Sequence, residues 1–200
     1  MKLGNAQLNA VAGRAVPGLT LLLCLVLVLV LSVSKTQARE RYSESELAVA
    51  LLYKVARFVR WPQDSFESQN ATLRLCTYAP EEYQQPLRAL EKRSIGSHSI
   101  EVVQLPPGQA GEACHVVFFT DPSQVDSGNQ LVGLTGQPVL TVGNFREFAD
   151  QGGMLSLSKS RKRVNIMINA SVSEHSGLEF SSQLLELSKV FRNDAARVQP

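Results

Sequence analysis

The chain has 200 residues, with 20 Lys and Arg against 18 Asp and Glu, 44% hydrophobic residues, 13 Gly and 9 Pro, which excludes a disordered, collagen-like or coiled-coil protein. The formal charge of +2 belongs to the start of the chain. Residues 1–38 carry Lys2, Arg14 and Lys35 and no acid, so residues 39–200 hold 17 basic against 18 acidic residues, which gives no reason to expect a nucleic-acid partner.

Residues 19–33, LTLLLCLVLVLVLSV, form an almost unbroken apolar run preceded by basic residues and followed by small ones, the three-part plan of a secretory signal. Thr36 and Ala38 place small residues where cleavage before Arg39 needs them. The competing reading is an uncleaved membrane anchor, for which the run is at the short end of what spans roughly 30 Å of hydrocarbon. Cys24 lies inside the run and not after the small residues of a lipoprotein site. Cleavage leaves residues 39–200, enough for one domain with one core and too few for two.

Within that span, residues 45–60 read as a helix, because Leu47, Leu51, Val55 and Val59 recur every four residues with Leu52 and Phe58 beside them. Pro62 ends it by disfavouring helical geometry at Trp61. Residues 72–78 alternate as a strand, 81–93 supply a helix, and 100–105 a second strand stopped by Pro106 and Pro107. That β-α-β order predicts parallel pairing. HVVFFT, residues 115–120, is a continuous apolar run, as expected of a central strand covered on both faces.

A short helix is expected around Gln130, a strand at 139–142 and a helical turn at 145–150 closed by Gly152 and Gly153. Residues 154–157 and 164–168 flank the polar stretch 158–163, an antiparallel hairpin with a charged turn. Residues 181–191 read as a closing helix with Leu184, Leu187 and Phe191 on one stripe and Leu185 beside it. The prediction is a single α/β domain whose mixed sheet of about five to six strands is flanked by helices.

Removal of Cys24 with the signal leaves Cys76 and Cys114, and two thiols in an exported chain favour one long-range disulfide over two free buried thiols. Closing so long a loop constrains the unfolded chain by about 4 kcal/mol in the entropy model. The residues of catalysis are sparse. His98 sits in a Ser-rich turn, His115 opens an apolar strand beside Cys114, and His175 lies in a polar turn, with no metal-ligand spacing among them. Neither a nucleophile elbow nor a phosphate-binding loop is present. The chain is therefore expected not to be an enzyme and to need no cofactor.

Four stretches taken together resemble the YfiR family of exported bacterial proteins. They are LAVALLYKVARFVRWP at 47–62, LRLCTY with Cys76, ACHVVFFTD with Cys114 and His115, and the closing block at 152–189. That block carries Gly-Gly-Met, then Ile168 and Asn169, then Gly177 and Leu178 before Ser181. With the signal peptide read at 1–38, the resemblance implies a periplasmic YfiR-like α/β domain at 39–200. It also implies a non-enzymatic repressor that binds the periplasmic part of an inner-membrane diguanylate cyclase, holding down cyclic di-GMP and biofilm formation. Cys76 and Cys114 match the pair that looks like the family's structural disulfide. The region that holds a second pair in its best-known member carries Met154 and Ser158 here, which speaks against a redox switch through a second disulfide.

A partner surface is expected at Arg161, Arg163, Met167 and Leu178, since an alternating strand sets Met167 opposite Ile166 and Ile168. The competing reading has Met167 and Leu178 filling core under a helix. A second copy of the chain is the other partner considered, as a homodimer. From a different class comes a periplasmic small-ligand sensor acting with a histidine kinase or other receptor. Its pocket would use Tyr53, Arg57, Arg60 and Trp61.

Overall fold

The computed structural model describes residues 42–109, 111–126, 130–160 and 163–192. The expected signal peptide and the hairpin-turn residue Arg161 lie outside them. Helix α1, Glu44–Ala56, begins at a reciprocal cap: the Glu46 N–H donates to Ser43 Oγ at 3.1 Å and the Ser43 N–H to Glu46 Oε2 at 2.7 Å. Its buried stripe is Ala48, Val49, Leu52, Val55 and Ala56, with Leu51 at the margin. The helix stops four residues short of Arg60. Val59–Arg60 is instead strand β1, and the Phe58 carbonyl accepts from the Ser181 N–H at 2.9 Å. A distant segment claims that backbone, and helix propensity yields to it.

The chain continues through β2 (Leu73–Thr77), α2 (Gln84–Arg88), β3 (Ser94–Ile95), β4 (His98–Gln104), β5 (Val116–Phe119) and α3 (Ser123–Asp126). It then runs through β6 (Leu140–Gly143), β7 (Leu155–Ser160), β8 (Arg163–Asn169), α4 (Ala170–His175), β9 (Glu179–Phe180), α5 (Ser182–Glu186) and β10 (Lys189–Phe191). The main sheet has eight strands in the order β10-β8-β7-β6-β5-β2-β4-β3, and β1 pairs antiparallel with β9 in a separate ribbon. β2 and β4 are parallel, as their order in the sequence predicts, and so are β2–β5, β5–β6 and β6–β7. The β7–β8 hairpin is antiparallel, with Ser160 opposite Arg163.

The mixed α/β architecture is the one expected, and the strands beyond six are the short edges β3 and β10. The predicted helix at 81–93 is three short pieces, α2 between 3₁₀ turns at Glu81–Tyr83 and Ala89–Lys92. The helix expected around Gln130 is a 3₁₀ turn at Val132–Leu134. The closing helix is cut to α5, because Lys189–Phe191 pairs parallel with Met167, Ile168 and Asn169 on β8. Leu187, expected on the buried stripe, is 76% exposed in consequence.

Both faces of the sheet are covered. On β5, Val116 and Phe118 face one core with α1, Leu73, Leu75, Leu140, Leu155 and Ile168, while Val117 and Phe119 face a second with Leu105, Val139 and Phe148. Cys76 and Cys114 lie in the second core as a disulfide, their Cα atoms 6.0 Å apart and 38 residues apart in sequence. Gly143 and Gly153 flank Phe148 so closely that a Cβ on either would stand 2.1 or 2.2 Å from its ring.

Candidate functional site

Ending α1 at Ala56 and pairing β1 with β9 brings Arg57, Arg60 and Trp61 to the wall of an open groove of about 860 Å³. The segment after Pro62, including Phe66 and Asn70, also lines it, as does His98. Arg60 stands opposite Glu179 in the ribbon, and among the described residues neither Arg57 nor Arg60 has a carboxylate within salt-bridge distance. Tyr53 lies next door. It lines a second groove of about 560 Å³ between α1 and α2, where its ring is 5.8 Å from the Arg57 guanidinium and 5.5 Å from that of Arg93. Its hydroxyl donates to the Ser94 carbonyl at 3.1 Å. Arg57 is shared by both grooves, so three of the four pocket residues meet and Tyr53 joins them only through Arg57.

Trp61, Phe66 and His98 of the first groove take part, with His115 from a neighbouring depression, in an arrangement that no spacing in the sequence signals. The Phe66 ring is stacked between two imidazoles, His98 at 3.8 Å and His115 at 4.4 Å between centroids, both within 10° of parallel. Trp61 meets Phe66 edge-on at 6.2 Å and donates its indole N–H to the His115 carbonyl at 3.3 Å. His115 Nδ1 accepts from the Arg74 N–H at 3.0 Å, which leaves the ring proton on Nε2, donated to the Ser65 carbonyl at 3.1 Å. Burial pushes this imidazole below the ordinary histidine range, with the Ser65 carbonyl opposing the shift. His98 Nδ1 donates to the Ala71 carbonyl at 2.7 Å.

The expected partner surface is only partly assembled. Arg163 is exposed and Met167 half-buried on one face of β8, with Met167 level with Lys189 on β10. Leu178 does not belong to that surface: it is 3% exposed and packs in the core that α1 covers, because the turn at Gly177 (φ 67°) directs the chain inward after α4. Among the described residues no group of three or more His, Cys, Asp or Glu side chains is placed to hold a metal ion, and no helix is long and apolar enough to cross a membrane.

A sheet buried on both faces, one disulfide and an open aromatic and basic groove define a disulfide-bonded mixed α/β domain. The chain belongs to the YfiR/HmsC-like family, whose DUF4154 model matches residues 45–189. That family is one of periplasmic regulators. No curated protein sequence matches the chain. Among solved structures it is similar to a conserved domain protein from Vibrio cholerae O1 biovar El Tor str. N16961, at 15% identity and a TM-score of 0.47, over 73% of this chain and 59% of that one. The chain thus spans less than two thirds of that protein's length.

Proposed function

We propose that residues 1–38 are a cleaved export signal and that the domain from Arg39 onward represses an inner-membrane diguanylate cyclase by binding its periplasmic part. The observation that carries this reading is family membership across residues 45–189. A soluble module controls a catalytic domain on the other side of a membrane by binding two receptor conformations with different affinity, which requires no catalytic residue of its own. The contact is assigned to one face of β8, through Arg163 and Met167, together with Arg161. Cyclic di-GMP measured in cells lacking the gene, against cells carrying it, tests the reading: a rise on deletion supports it and an unchanged level refutes it. Met167→Glu with Arg163→Glu is expected to abolish capture of the membrane partner while the thermal melt stays in place, and undiminished capture removes this patch.

A second reading, a small-ligand sensor, is favoured by the meeting of Arg57, Arg60 and Trp61 in one groove. Trp61 is the single tryptophan, so its emission reports on that groove directly. No change in emission across a panel of anionic metabolites counts against it.

A further inference from the structure

One ring, Phe66, is the centre of the attachment of the groove wall to the sheet. Residues 62–71 carry no regular structure apart from the 3₁₀ turn Gln63–Ser65, and Gln63, Asp64, Glu67, Ser68, Gln69 and Asn70 are exposed. What fastens its first half to the sheet is Phe66 between the two imidazoles, together with the hydrogen bond from His115 Nε2 to the Ser65 carbonyl, while Ser97 Oγ donating to the Gln69 carbonyl at 2.6 Å and His98 Nδ1 to the Ala71 carbonyl at 2.7 Å anchor its far end. Ser65 Oγ is buried with no hydrogen-bond partner, so the closed segment also holds an unsatisfied hydroxyl.

His115 can make both its ring hydrogen bonds only when neutral. Nδ1 must present a lone pair to the Arg74 N–H, and a second ring proton would set two donors against each other. The Arg74 backbone cannot withdraw, because β2 lies between β5 and β4 inside the sheet. The exposed segment can. We propose that residues 62–68 are a proton-operated latch on the groove, hinged at the anchored Gln69–Ala71 end and released when His115 takes up a second ring proton and leaves its place against Phe66. This goes beyond the repressor and sensor readings and does not depend on either.

The charged and titratable groups around the ring are Arg74 on β2, His98 on β4 across Phe66, Glu67 in the latch itself, and Glu112 in the turn leading to β5. Arg74 and His98 both oppose a charge on His115, and burial opposes it most. The sign follows. In the closed form the imidazole binds its proton below the ordinary histidine value, and in the released form it regains that value, so acid favours release. Below about pH 6.5 the released population grows by up to about tenfold for each pH unit, until the closed form also protonates. Release removes Phe66 and its neighbours from the groove wall, so the same proton dismantles the groove.

The test uses the disulfide-bonded domain from residue 39 onward, titrated from pH 8 to 4.5. The expected result is a red shift of Trp61 emission with its midpoint below pH 6.5 and loss of amide protection confined to residues 62–68, with far-ultraviolet circular dichroism unchanged. His115→Asn keeps an acceptor for the Arg74 N–H but cannot titrate, and it is expected to abolish the transition, whereas His98→Asn retains it. Should His115→Asn fail to fold, the ring proton resonance of His115 in the parent protein decides: it must move in step with Trp61 emission. Titration of His115 with Trp61 emission and latch protection both constant overturns the proposal, and so does a transition that survives in folded His115→Asn.

Discussion

The disulfide offers the sharpest test of what holds this fold together. Cys76 is on β2 and Cys114 lies just before β5, and those two strands already pair in parallel, with Leu75 level with Val116 and Cys76 with Val117. The crosslink therefore adds little to the order of the native sheet. Its effect falls on the unfolded chain, where it closes a loop between residues 38 apart. The entropy model puts that at about 4 kcal/mol. For a domain of this size, each kcal/mol moves the melting temperature by about 2–4 °C, so Cys76→Ala with Cys114→Ala is expected to lower Tm by about 8–16 °C.

Alanine is the appropriate replacement because Cys76 is 0% and Cys114 6% exposed, and a serine hydroxyl in that apolar core would lose water without gaining a partner. Thermal and urea melts of the parent and the double variant, with thiols counted beforehand, make the measurement. The denaturant slope should rise in the variant, since its unfolded state expands more. A variant melting within about 3 °C of the parent, with an unchanged slope, would refute an unfolded-state origin for the stabilisation.

Two further changes probe the local rules. Gly153→Ala drives a Cβ to 2.2 Å from the ring of Phe148, itself 0% exposed, and should cost about 1–3 kcal/mol in a urea melt; a neutral result would mean the Phe148 ring has room to move. Ser43→Ala removes the side-chain half of the α1 cap and should cost about 1 kcal/mol, with Ser43→Asp recovering most of it; equal losses for both would argue against capping as the cause.

Much of the central fold is legible in the chain because its elements are long enough to show their period. HVVFFT announces a strand covered on both faces, and Val116 through Phe119 are all fully buried. The β-α-β order of residues 72–105 announces the parallel pair, and the charged stretch between two apolar runs announces the hairpin. The cysteine pair follows from counting. The short elements left no such mark. β1, β9 and β3 have two residues each and β10 three, and nothing so short displays a period of two. Residues 181–191 have helical spacing throughout, yet the open edge of β8 takes 189–191 as a strand, and Leu187 is left in solvent.

The same division runs through the candidate sites. Arg57, Arg60 and Trp61 could be singled out because they lie within five residues of one another at the end of one helix. Phe66, His98 and His115 could not, since each by itself is an ordinary residue in a loop or at a strand end. Leu178 shows the converse: its neighbours in sequence suggest a surface, and its burial follows from a turn. By itself the sequence determined which segments are apolar on both faces, the order and type of the central elements, and which two cysteines lie outside the apolar leader run. Those are properties of period, composition and count. Only the tertiary structure decided which backbone edges are claimed by distant segments and which rings meet, because a stack such as His98, Phe66 and His115 depends on the registry of separate strands, and registry is set by the packing of the whole sheet.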